Sequence, residues 1–155
     1  MKSLYYFIVK PFDDRYDNTR TVNGNDLIIN TGIEDHRFIS KKAVVVSTPA
    51  AYNTKINIGD ELYIHHNIFR RWYDQKGKER NSSTHFKDDL YFVSLEQIYM
   101  YNLKPNLDYC FIKPLKNQSV LENRKEQPNV GIVKYSNKSL EALKITPGTL
   151  ITFTP

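Results

Sequence analysis

Apolar and polar residues alternate with a period of two in several short stretches of this chain, most clearly from Lys55 to Ile64. Ile56 and Ile58 alternate with polar neighbours, Gly59-Asp60 turns the chain, and Leu62 and Ile64 resume the period. This pattern predicts a tight turn delivering the chain into a half-buried strand, with glycine where a positive φ is least strained. The chain writes the unit a second time, as Lys144-Ile145-Thr146-Pro147-Gly148-Thr149-Leu150-Ile151-Thr152-Phe153. A repeated β-turn-β unit predicts an all-β protein with internal duplication.

The same reasoning places the other elements. Leu4 to Phe12 is rich in aromatic and β-branched residues and predicts a strand closed by Lys10-Pro11, since proline removes a ladder donor. Asp13 to Ser40 is polar, shows no period, and reads as a long loop around an isolated apolar trio, Leu27-Ile28-Ile29. A loop of that length in a compact domain is either functional or disordered. Ala43-Val44-Val45-Val46 reads as a buried strand, Glu61 to His66 as the strand after the glycine turn, and Leu90 to Val93 and Ile98 to Tyr101 as two more. Asn67 to Lys87 reads as a basic excursion between paired strands.

Beyond residue 103 the pattern restarts. Tyr109-Cys110-Phe111-Ile112-Lys113-Pro114-Leu115 matches Tyr6 to Phe12 position for position, at an offset of 103 residues. Gly131 to Ser136 stands where Lys42 to Ser47 stood, at an offset of 89, so the second copy's loop is shorter by 14. No counterpart of the Leu90 to Tyr101 strands follows before Pro155. The expected organisation is therefore a barrel over 1–103 with a long loop at 13–40, and an incomplete second copy over 104–155.

Composition narrows the picture. The 155 residues are 40% hydrophobic and include 11 tyrosines and 8 phenylalanines, enough for a packed core built of strands. A net charge of +5 permits nucleic-acid contact without implying it. The single cysteine, Cys110, excludes an intrachain disulfide and fits a reducing compartment. Lys10-Pro11 ends the one apolar run near the start, which predicts no signal peptide and no membrane span, hence a soluble intracellular chain.

The ordered set of parts resembles the GroES-type (chaperonin-10) co-chaperonins, diverged viral versions included. The parts that carry the resemblance are Tyr6 to Phe12, the Leu27-Ile28-Ile29 tripeptide, Ala43 to Ser47, Ile56 to Ile64, and Leu90 to Tyr101 with Glu96-Gln97-Ile98. It covers roughly residues 4 to 101, with a partial second copy over 107 to 155. The chain departs from the family where Lys42 and Ser47 replace glycines, where Asp26 precedes the tripeptide, and where the Asn67 to Lys87 excursion exceeds the usual roof hairpin. The resemblance implies a GroES-like β-barrel and a homo-oligomeric, possibly heptameric ring. It also implies a non-catalytic role: capping a chaperonin ring that itself binds the ATP, in the cytoplasm (of the host cell, for a viral protein), to assist protein folding.

Candidate chemistry is sparse. From the residues alone, Leu27, Ile28 and Ile29 are either an anchor that docks in a partner's apolar groove or a short strand packed on the barrel; the resemblance favours docking. Arg70-Arg71-Trp72-Tyr73 offers an anionic-surface patch, set against a solvated hairpin whose Trp72 folds onto the barrel. The charge pattern favours the hairpin and weighs against nucleic acid. His65 and His66, adjacent on an expected strand, point to opposite faces and cannot share a metal without a bulge. Cys110 aligns with Phe7 and reads as a small core hydrophobe. No Ser-His-Asp order, apolar carboxylate pair or phosphate-binding glycine loop appears, so the sequence predicts no enzyme, no metal and no cofactor. Two rival functions stand beside the co-chaperonin: a structural or assembly adaptor that keeps the barrel, and a weak single-strand nucleic-acid binder.

Overall fold

The computed structural model describes residues 2–28, 32–33, 35–116 and 126–154, and these form two compact units, Met1–Asn102 and Leu103–Pro155. Both are built mostly of strands. The first contains β1 (Phe7–Pro11), β2 (Thr19–Val22), β3 (Asn25–Ile28), β4 (Lys42–Ser47), β5 (Glu61–Ile64), β6 (Arg71–Tyr73), β7 (Glu79–Asn81), β8 (His85–Lys87), β9 (Leu90–Val93) and β10 (Ile98–Tyr101). Six of these lie side by side in the order β10-β5-β4-β1-β9-β8, while β2-β3 and β6-β7 are separate two-stranded hairpins. Among the described residues β8 does not pair with β10, so the ladder stays open rather than joined as a closed barrel.

Period-two alternation selects the core. Phe7 and Val9, Ala43 and Val45, Leu62 and Ile64, Tyr91 and Val93, and Ile98 and Met100 all turn to one side and are buried. Each large apolar side chain so placed contributes about 1.5–3 kcal/mol. The valine run of β4 is not buried throughout: Val45 is enclosed, while Val46 is exposed on the other face. The strand expected over Leu4 to Phe12 is shorter, because Leu4, Tyr5 and Tyr6 precede the ladders with β4 and β9 and stay exposed.

The turn at Gly59 is built as its residues require. Asp60 N–H donates to the Asn57 carbonyl at 3.2 Å, Gly59 sits at φ 90°, and the Asp60 carboxylate accepts from Asn57 N–H at 2.8 Å. Ile58 occupies the exposed corner and Ile56 the core, so their spacing does not mark a strand.

The second unit opens with the two-residue strand β11 (Lys104–Pro105), followed by β12 (Phe111–Lys116), β13 (Glu126–Tyr135), helix α1 (Lys138–Ala142) and β14 (Leu150–Thr152). Strands β12-β13-β14 make a three-stranded antiparallel sheet whose register copies β1-β4-β5 residue by residue. In the first unit Ile8 faces Ser47, Val9 faces Val45, Lys10 faces Val44 and Pro11 faces Ala43; in the second Phe111 faces Tyr135, Ile112 faces Val133, Lys113 faces Ile132 and Pro114 faces Gly131. Even the register shift after Ile8 recurs after Phe111. Ala43 opposite Leu62 becomes Gly131 opposite Ile151. This pairing corrects the offset read from sequence: β4 maps to β13 at 88 residues, and the loop before it is 15 shorter. The offset returns to 89 at the turn, where Gly148 sits at φ 95° and Pro147 supplies the fixed φ favoured at its first corner. The extra residue lies in the connector that holds α1, which Asn137 caps by accepting from Leu140 N–H at 2.8 Å.

Gly131 marks where this sheet is tightest. A β-carbon there would meet the Ile112 Cγ2 methyl and lie 2.9 Å from the Lys113 carbonyl oxygen. Gly131→Val is expected to lower stability by about 1–3 kcal/mol through overpacking, measured by urea unfolding. An unchanged midpoint would mean that β12 and β13 approach less closely than this.

Candidate functional site

The stretch from Asp13 to Ser40 is not the featureless loop its polarity predicts. Its two ends run antiparallel as a neck: Phe12 N–H donates to the Lys42 carbonyl at 3.2 Å, Ser40 N–H to that of Arg15 at 3.1 Å, and Asp17 N–H to that of Phe38 at 2.8 Å. Tyr16 and Ile39 form a bridge and are buried in the core of the first unit. Beyond the neck stands the β2-β3 hairpin, every residue of which is exposed. Asn23 at φ 51° and Gly24 at φ 80° make its two-residue turn, the arrangement in which both corners need left-handed backbone. Thr21 reinforces it by donating from Oγ1 to the facing Asp26 carboxylate at 2.6 Å.

On this hairpin Leu27 pairs with Arg20 and Ile28 with Thr19. Successive side chains on a strand face opposite ways, so Leu27 shares a face with Val22 while Ile28 lies on the other. Leu27 is 52% and Ile28 67% exposed, which excludes the alternative of a strand packed on the core for these two. Ile29 lies outside the described residues. Val22, 48% exposed, belongs to the apolar surface although the tripeptide pattern does not include it.

The neck is fastened by two side chains that sequence reasoning missed. Arg15 donates from Nε to the Phe69 carbonyl at 2.6 Å, from Nη1 to Asn81 Oδ1 at 2.7 Å and from Nη2 to the Arg70 carbonyl at 3.1 Å. Its guanidinium lies 5.2 Å from the centre of the Tyr91 ring. Tyr16 donates its hydroxyl proton to the Ile33 carbonyl at 2.6 Å and accepts from Arg71 N–H at 2.9 Å. The only sequence signal was a lone tyrosine beside an arginine in a polar run.

Arg70, Arg71, Trp72 and Tyr73 do not form one cationic face. The Arg71 guanidinium lies 4.5 Å from the centre of the Tyr16 ring and pairs with Glu79 at 3.1 Å, so it belongs to the neck's anchorage. Arg70 contributes its carbonyl to Arg15. Trp72 faces Arg80 and Tyr73 faces Glu79 across the hairpin, which sets the two rings on opposite sides. Arg80 is paired with Asp74 at 2.9 Å. Backbone N–H donation from Lys78, with Arg80 and Lys76 adding, holds the Asp74 carboxyl below its ordinary range. Trp72 is 42% exposed.

His65 and His66 also differ from expectation. The strand ends at Ile64 and a 3-10 turn begins at His66, so the two rings stack with centroids 4.4 Å apart instead of facing opposite ways. Among the described residues no group of three or more histidine, cysteine, aspartate or glutamate side chains is arranged to hold a metal. Cys110 is only partly buried where its counterpart Phe7 is fully enclosed, and that burial pushes its thiol pKa up, towards the unreactive form. No helix among the described residues is long and apolar enough to cross a membrane.

No protein-family model matches the chain, and no curated protein or solved structure matches it either.

Tyr16→Phe leaves the Ile33 carbonyl and the Arg71 N–H without their partner, and is expected to cost about 1–3 kcal/mol. Urea unfolding reads the stability, and amide exchange at Asp17 and Ser40, faster in the variant, locates the loss in the neck.

Proposed function

We propose that this protein is a co-chaperonin-like, non-catalytic partner of a chaperonin ring, docking through the β2-β3 hairpin. The observation that carries the reading is the contrast along residues 13–40: a neck anchored in the core by Tyr16 and Ile39, and beyond it a hairpin bearing Val22, Leu27 and Ile28 in the open. Burying three such side chains in an apolar groove is worth about 4–8 kcal/mol before the cost of association. A hairpin already paired before binding loses less conformational entropy than an extended loop. In this reading the first unit has a GroES-like fold with its ladder left open, the second is a partial repeat of it, and identical chains assemble into a ring, seven by the resemblance. Many modest contacts then add to useful avidity. The ATP is bound by the partner.

Co-elution with a purified chaperonin in the presence and absence of nucleotide tests this. The intact chain is expected to co-elute only with nucleotide. The double variant Leu27→Ser, Ile28→Ser should fail to co-elute while its unfolding midpoint stays within about 0.5 kcal/mol of the parent, because both positions are exposed. Equal retention of the variant would place binding elsewhere. A chain that never binds yet assembles stably would favour the structural adaptor, and salt-dependent retention on single-stranded nucleic acid would favour the third class.

A further inference from the structure

Three of the chain's four histidines meet where the neck joins the rest of the first unit. His65 and His66 stack at 4.4 Å with their planes 25° apart, and the His36 ring lies 5.6 Å from that of His66. His36 sits on the returning arm of the neck, shortly before Phe38 and Ser40, which bond to Asp17 and Arg15 across it. His65 and His66 belong to the turn after β5, which is held in the sheet between β4 and β10. The ring cluster therefore joins the excursion to the sheet. The charged groups acting on His66 are its two histidine neighbours together with Lys41, at the entry to β4, and Arg70, beyond the 3-10 turn. Tyr99 of β10 packs its ring against His65 at 6.1 Å. Asp35, next to His36, is bound by the Arg37 guanidinium at 2.7 Å. His65 Nδ1 accepts from Asn67 N–H at 3.1 Å, a bond that needs that nitrogen unprotonated.

We propose that the His36–His65–His66 cluster is a proton-operated clasp on the neck: neutral rings stack and hold the returning arm against the sheet, and protonated rings repel one another and release it. Its consequence for docking rests on the function proposed above; the clasp itself does not. Burial first, then the neighbouring His65, His36, Lys41 and Arg70, pull the proton affinity of His66 below the ordinary histidine value. The opened state thus binds more protons than the closed one. The clasp's stabilisation is complete above about pH 6.5 and drains away as pH falls through that value towards the lower pKa of the closed form.

Amide exchange of the full chain at pH 7.5 and 5.5, corrected for the intrinsic pH dependence of exchange, tests the clasp without any partner. Asp17 and Ser40 are expected to exchange several-fold faster at the lower pH, while Val45 in β4 keeps its protection. In His36→Gln, and separately in His66→Gln, the acid-induced difference should shrink or vanish. Equal neck protection at both pH values in the parent chain would overturn the proposal. So would acid opening that survives in both variants, or loss of Val45 protection in step with the neck, which is global unfolding. A chaperonin that fails to bind at either pH would count against the docking reading and leave these outcomes unchanged.

Discussion

Val45 exchanges two backbone hydrogen bonds with the glycine turn, donating to the Asp60 carbonyl at 3.1 Å and accepting from Gly59 N–H at 2.8 Å. The direction in which β5 leaves the turn depends on this clamp, and with it the burial of Leu62 and Ile64 opposite β4. A slip of one residue would send both side chains to the solvent face, because strand side chains alternate. In the second unit Val133 makes the same pair of bonds, to the Thr149 carbonyl at 2.9 Å and from Gly148 N–H at 2.8 Å. Asp60 and Thr149 each brace their turn through a side-chain oxygen, accepting from Asn57 and Thr146 N–H respectively. Carboxylate and hydroxyl are different groups performing one task. What the two units share is therefore a hydrogen-bond pattern more than a set of residue types.

That scaffold fixes where the excursion begins and ends. β1 and β4 are neighbours, so the chain between them must leave and return at one point, and its two arms can pair. Tyr16 and Ile39 use that pairing to reach the core, and Arg15 spreads over three acceptors from residues far along the chain. Past Asn18 the described β2-β3 hairpin is exposed at every strand position. Local stability follows density of buried contacts, so the arrangement is firm at its root and free at its tip. The proposed docking role needs both properties.

Much of this was legible beforehand. β9 and β10 lie where Leu90 to Val93 and Ile98 to Tyr101 alternate, since on those strands period and burial coincide. The duplication was readable too, but only to within one residue, because α1 lengthens a connector whose sequence carries no period. The β2-β3 hairpin was missed although Asn23-Gly24 is the strongest short-range hairpin signal. Its strands, Thr-Arg-Thr-Val and Asn-Asp-Leu-Ile, are exposed on both faces, and without a buried face there is no alternation to read. The roles of Arg15, Tyr16 and Arg71 were illegible for a different reason. Each depends on partners far away in sequence, and a basic run such as Arg70-Arg71 looks the same whether it faces solvent or ties down a neck.

The central claim is that the hairpin, and not another surface, meets the partner. Amide exchange of the chain with and without a nucleotide-loaded chaperonin tests it most directly. Protection gained from Arg20 to Leu27, with β4 and the β6-β7 hairpin unchanged, is the result the account predicts. No gain at the hairpin, or protection confined to Trp72, Tyr73 and their strand neighbours, would contradict it.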